Sequence, residues 1–208
     1  MEKFTLTFVL FTLIYLTNAQ VINLDIKVFI EGPFNGTEMN INLYNLNLLP
    51  LDQPYNVSPW NYNGTEQVAS IPNPDIVDWI LIELRETSGS AATAIPPSVI
   101  ARQACFLLKN GQIVDLDGVS LPQLNLTILD DLYVVIRHRN QLDIMSSVPL
   151  TETTGTYDYD FTDDISKAYL DGQKEIGTGI YGMIAGDCDG NGIVGYEDKN
   201  DNWKRLYN

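Results

Sequence analysis

Short apolar or alternating runs recur along this chain between stretches rich in Gly, Pro, Asn and Asp. Runs of this kind occupy residues 26–32, 78–86, 99–108, 112–118, 131–139, 141–147, 156–162 and 176–186. They are rich in Ile, Val, Tyr and Phe, which suit a pleated, half-buried surface, and each predicts a β-strand. Lys109-Asn110-Gly111-Gln112 predicts a hairpin turn, because Asn-Gly tolerates the positive φ that a tight turn demands. Arg139-Asn140-Gln141 suggests a second turn. Helical periodicity is nearly absent before the C-terminus. The pattern therefore predicts an all-β fold, an antiparallel β-sandwich of Ig-like or jelly-roll-like kind, over residues 20–184.

Two stretches interrupt the pattern. Residues 87–98 are small, uncharged and Pro-containing, and read as an exposed connection between strands. Residues 40–70 are rich in Asn and Tyr and carry Pro50, Pro54 and Pro59. They predict an irregular excursion, held by a few aromatic anchors. Tyr55, Trp60 and Tyr62 cluster there, either as those anchors or as exposed faces that stack on sugar rings.

The first nineteen residues differ from the rest. Lys3 supplies a short basic start, Phe4 to Leu16 is apolar, and Thr17-Asn18-Ala19 gives small residues before a cleavage point. That layout predicts a secretory signal peptide over residues 1–19, the apolar run being too short to span a bilayer. No further stretch approaches spanning length, so the expected mature chain is secreted, extracellular or at the cell surface, with no membrane span.

Charge narrows the partners. Among 208 residues, 27 are acidic and 12 basic, for a net charge of −15. Such a surface repels phosphate backbones, which excludes nucleic acid as a partner, and it suits divalent cations. An even pair of cysteines, Cys105 and Cys188, invites a disulfide in an oxidising compartment. A buried thiol at Cys105 with a free or intermolecular one at Cys188 is the competing arrangement. His138 is the sole histidine, and a structural hydrogen bond is its expected role. Asp115 with Asp117 and Asp158 with Asp160 place carboxylates on one strand face, as solvated surface or a second weak cation site rather than a glycosidase pair. Asn35, Asn56, Asn63 and Asn125 open N-x-Ser/Thr triplets, which matter only in a host that glycosylates. No nucleophile, zinc or cofactor signature is present, so the expected protein is not an enzyme.

The strongest chemical signal lies near the end, in Asp187 to Asp198, DCDGNGIVGYED. Asp187, Asp189 and Asn191 put side-chain oxygens at loop positions one, three and five, and Gly192 stands at six, where the chain must turn around an ion. Ile193 at seven can donate its backbone carbonyl, Val194 at eight can dock the loop on the core, and Asp198 closes position twelve. Gly195 at nine leaves a place for water. Ca²⁺ is a hard cation that takes six to eight oxygens, and this alternation supplies them. Position twelve is Asp where the EF-hand pattern has Glu. A strand-like segment precedes the loop. After it, Trp203, Leu206 and Tyr207 would form one apolar face of a short helix. Residues 185–208 thus predict a single calcium loop followed by a helix, a half EF-hand.

Six segments extend the likeness beyond the loop: residues 47–72, 77–86, 101–118, 132–147, 159–164 and 181–203. Together they resemble a group of secreted bacterial β-sandwich ectodomains that end in dockerin-like calcium repeats. The resemblance implies fold and location more than activity. Dockerins usually carry two tandem loops, whereas this chain stops after one, a departure that argues against cohesin-style docking and leaves open pairing with a second copy or another chain. The expected function is a non-catalytic, calcium-binding structural or interaction protein. Calcium would order its C-terminal segment for protein association, including self-assembly into an extracellular fibre or surface layer. A carbohydrate-binding adhesin using Tyr55, Trp60 and Tyr62 is the alternative, with glycans as partners, and a hydrolase built from acidic residues is a lesser one.

Overall fold

A computed structural model describes residues 19–199. The expected signal peptide, and the Trp203, Leu206 and Tyr207 face of the expected helix, lie outside the described residues. Two sheets stack as a sandwich, and all-β architecture is what the structure shows. The elements run β1 (Gln20–Lys27), a one-turn α1 (Asn42–Asn45), β2 (Ile76–Thr87), β3 (Val99–Leu108), β4 (Ile113–Val114), β5 (Gln123–Leu126), β6 (Asp131–His138), β7 (Gln141–Met145), β8 (Thr151–Thr153), β9 (Thr156–Asp160), β10 (Lys174–Gly177) and β11 (Ile180–Gly182). One sheet has the order β5-β1-β9-β8, the other β4-β3-β2-β6-β7, and β10 and β11 form a separate hairpin. Pairings are antiparallel except that of β1 with β9, which is parallel.

The sandwich core follows from side-chain alternation. Ile22, Leu24 and Ile26 of β1 face Ile80, Ile82 and Leu84 of β2, with Val134 and Ile136 of β6 in the same cluster. On β2 the intervening residues Trp79 and Leu81 point the other way, yet they too are buried. The excursion through residues 40–72 covers them. Tyr55 is fully buried there, its hydroxyl donating to the Trp79 carbonyl at 2.9 Å, and Trp79 Nε1 donates to the Pro50 carbonyl at 2.8 Å. Trp60 meets Tyr55 edge-on at 5.5 Å between ring centroids, and Tyr62 packs into the same second core. A buried Tyr55 cannot stack on a sugar, so the three-aromatic platform does not form.

Further along, the same outer face of β2 turns from apolar to ionic. Glu83 is fully buried and accepts from Arg85 and Arg102 at 2.6 Å each and from Arg137 at 3.2 Å. Burial raises its carboxyl pKa, but the charge of Arg137 and the hydrogen bond from Arg85 outweigh that and hold it below the usual glutamate value. Arg137 also pairs with Asp143.

Several expectations change in detail. The strand expected over 26–32 begins earlier, at Gln20, and ends at Lys27. That expected over 112–118 shrinks to β4, because Asp115 and Asp117 cap turns with their carboxylates instead of continuing the ladder. The run over 176–186 is not one strand: it folds back at Gly179 (φ +66°) into β10 and β11 and then leaves the hairpin. The connection over 87–98 is not wholly exposed, since Ala91 and Ala94 pack against Tyr133. Gly111 takes φ +90° in the expected Asn-Gly turn, and its N–H donates to the Leu108 carbonyl at 2.8 Å.

Candidate metal centre

The acidic loop hangs from a segment tied to both sheets. Met183 N–H donates to the Phe29 carbonyl at 2.8 Å, and Glu31 N–H returns to the Met183 carbonyl at 3.1 Å, just beyond β1. One residue on, Leu142 N–H donates to the Ile184 carbonyl at 2.8 Å, and Gly186 N–H donates to Asn140 at 2.9 Å, beside β7. Ala185 N–H is taken by Glu31 Oε2 at 3.1 Å. Successive peptide groups thus bond alternately to the segment that leaves β1 and to the β6–β7 edge of the other sheet, up to Gly186. The loop starts from a rigid base.

Within the loop the backbone curls around three carboxylates. One oxygen each from Asp187, Asp189 and Asp198 lies within 4.8 Å of the others, and the cluster can hold a metal ion. Asp187 and Asp198 are buried, with exposures of 2% and 4%. The N–H groups of Asn191 and Gly192 each donate to Asp187 at 3.0 Å. Asp198 accepts from Cys188 N–H and Gly195 N–H at 2.7 Å each, so residues 188 and 198 are closed into a ring. Each carboxylate oxygen that accepts one N–H keeps a lone pair for an ion. Gly190 (φ +69°) and Gly192 (φ +84°) supply the left-handed turns that aim these donors inward.

Electrostatics inside the ring are uneven. Burial pushes the Asp187 carboxyl up, and the charges of Asp198 and Asp189 add to it against the pull of the Gly192 and Asn191 amides. The Gly195 hydrogen bond leads the contacts that hold Asp198 below the ordinary aspartate value. Convergent carboxylates without a counter-charge repel, and a cation relieves that repulsion.

The structure brings together Asp187, Asp189 and Asp198, and it places Asn191 beside them: its Nδ2 donates to Asp189 at 2.9 Å while its Oδ1 accepts from Ile193 N–H at 2.8 Å. The side chains of Ile193 and Val194 are exposed, at 68% and 48%. Val194 does not reach the core as expected; it rests over Gly186, whose missing side chain would stand 2.9 Å from Val194 Cγ1. The expected Cys105–Cys188 disulfide is also absent. Both thiols are free, because Cys105 projects into the sandwich core from β3 while Cys188 sits in the loop. Asp115 with Asp117 and Asp158 with Asp160 do not join any three-carboxylate cluster among the described residues.

Two features near the loop carried no local signal in the sequence. Pro59 and Trp60 of the excursion back the loop at Gly190, where an added Cβ would lie 2.6 Å from Pro59 Cγ and 3.1 Å from Trp60 Cζ2. Asp78 of β2 is buried and lines the same cavity as Cys188 of the loop, bonded to His138 Nε2 at 3.2 Å and Arg139 at 2.6 Å. Burial pushes the Asp78 carboxyl up, and the His138 hydrogen bond with the Arg139 charge brings it below the ordinary value. His138 Nδ1 accepts from Asn140 N–H at 3.2 Å, so both ring nitrogens are engaged in fixing the β6–β7 turn.

The fold and site together define a two-sheet β-sandwich carrying an acidic, oxygen-lined loop at its end. Comparison with family models, with curated proteins and with solved structures finds no match for the chain.

Proposed function

We propose that this is a secreted, non-catalytic calcium-binding protein whose metal loop orders the C-terminal segment for association with proteins, including other copies of itself. The observation that carries the reading is the convergence of Asp187, Asp189 and Asp198 within 4.8 Å on a base tied to both sheets. An all-oxygen donor set of carboxylates and amide oxygens favours Ca²⁺ over softer metals and over Mg²⁺, which demands a tighter octahedron. The half EF-hand likeness of the loop, dockerin-like in arrangement, supports the same ion, with Asn191 and the Ile193 carbonyl as further ligands.

The side chains nearest the loop argue against catalysis. Burial, then the charges of Asp198, Asp187 and Asp189, push the Cys188 thiol up, the reverse of what an activated nucleophile needs. His138 has no free nitrogen with which to act as a base. Titration calorimetry with CaCl₂ and MgCl₂, paired with light scattering in calcium and in chelator, tests the function. Heat with calcium and a larger assembly in its presence are expected; a calcium-silent monomer in both conditions contradicts it.

A further inference from the structure

A cavity of about 720 Å³ opens between the metal loop and the sandwich. Ile30, Leu43 and Val77 form its apolar wall, while Gly186 and Cys188 belong to the loop side. Gln141 also lines it, only 4% exposed, and its Oε1 accepts no hydrogen bond from any of the described residues. A buried acceptor left unpaired is unfavourable, and it marks a place for a donor. The cavity therefore asks for a large apolar group carrying one N–H or O–H.

We propose that the cavity receives Trp203 from the C-terminal segment of the same chain, its indole N–H donating to Gln141 Oε1. This rests on the reading that an ion holds Asp198 in the loop. Reach supports the occupant. Asp198 bonds the N–H of Cys188 at 2.7 Å, and Cys188 is part of the cavity lining. Trp203 follows Asp198 by five residues, which spans about 7 Å in a helix and about 17 Å when extended. Chemistry supports it too: an indole is amphipathic, with an apolar body for the wall and a single donor for the amide. Lys204 and Arg205 beside it suit a body of strongly negative charge. The metal ring would then act as a clasp, fixing the point from which the segment enters.

Trypsin reports the docking, because it cleaves after Lys204 and Arg205 only when that segment is free. Gly32 lines the cavity, and a Cβ placed on it meets nothing within 4 Å, so Gly32→Trp fills the space from the wall. In calcium, full-length Gly32→Trp and Trp203→Ala are each expected to be cut at least tenfold faster than the unaltered chain, with unchanged calcium heat. Equal cleavage rates in all three overturn the proposal, whether or not calcium binds; absence of calcium heat overturns the metal reading separately. If Gly32→Trp misfolds by circular dichroism, Trp203→Ala, which follows every strand of the sandwich in the sequence, decides alone. Protection that appears only at concentrations where light scattering finds a dimer assigns the cavity to a partner's segment and also overturns the proposal.

Discussion

Pro59 closes against the acidic loop at Gly190, with its Cγ where almost any side chain on residue 190 would have to be. The contact joins two segments far apart in sequence, the aromatic excursion and the acidic ring. Trp60 lies behind the same glycine and stacks edge-on against the buried Tyr55. The loop is therefore backed by the second core, while its stem is bonded to the two sheets.

Gly190→Ala meets two penalties. A left-handed φ of +69° costs a residue with a Cβ about 1–2 kcal/mol, and Pro59 must move as well. Both fall on the loop and not on the sandwich. Calcium affinity should drop about tenfold or more, each 1.4 kcal/mol being a factor of ten. The melting temperature in chelator should stay close to that of the unaltered chain. Calorimetry and thermal melting of one preparation measure both, and an unchanged affinity would show that the excursion does not brace the loop.

The long strands and the acidic ring were legible because each is written locally. The DWILIELRE run is a short apolar stretch of β-forming residues bounded by charge, which makes β2 evident, and the Asp-x-Asp-x-Asn-Gly spacing gathers Asp187, Asp189 and Asn191 without help from the rest of the chain. What lay hidden depends on contacts across the fold. Nothing near β1 announces a parallel pairing with β9, over one hundred residues later. The glycines of 176–186 suit a strand composition but serve a hairpin at Gly179 and a stem whose amides bond to two sheets in turn. The sequence favours Tyr55, Trp60 and Tyr62 as loop anchors over a sugar platform but does not say what they anchor to; that is the outer face of β2, where Tyr55 and Trp79 are buried beneath the excursion.

Glu83 binds three arginines from inside the sheet, so Glu83→Gln leaves their charges without a buried counter-ion. Breaking a buried ion pair on one side typically costs about 3–5 kcal/mol. The pH dependence has a definite sign. Glu83's folded pKa is depressed below its unfolded value of 4.5, so its contribution is complete above that value. It is lost as pH falls through the folded pKa. The stability gap between the variant and the unaltered chain, from urea melts, should be widest near neutrality and narrow below pH about 4. A gap that stays constant down to pH 3 would deny the carboxylate this role.

Cys105 and Cys188, both free, should answer differently to a thiol reagent. Burial pushes the Cys105 thiol well above its ordinary value, and the sandwich shields it. In the native protein only Cys188 should react; in denaturant both should. Melting should not respond to reductant. Cys105→Ser puts a hydroxyl into an apolar cluster and should cost about 1–3 kcal/mol, whereas Cys188→Ser, half-buried, should cost less than about 0.5 kcal/mol. A mass two units short of the reduced chain, with melting lowered by reductant, would establish the bridge instead.

Removing the ion should be felt through Asp187. Its carboxylate is buried beside Asp198 and Asp189, and in chelator the three negative charges face one another without compensation. Asp187→Asn deletes one charge but keeps an oxygen for one of the two loop amides, those of Asn191 and Gly192, that Asp187 accepts. In chelator that variant should melt at or above the temperature of the unaltered chain, since the lost repulsion offsets the lost hydrogen bond. In calcium the order should reverse. An ion at one hundred times its Kd stabilises the native state by about 2.7 kcal/mol, which for a chain of this size raises the melting temperature by about 5–10 °C. The unaltered chain should show that rise and Asp187→Asn should not. Chelator is essential to the comparison, because residual calcium would make the charge deletion look destabilising. A calcium-induced rise of equal size in both proteins would place the ion elsewhere, and the three carboxylates would then be joined only by the amides around them.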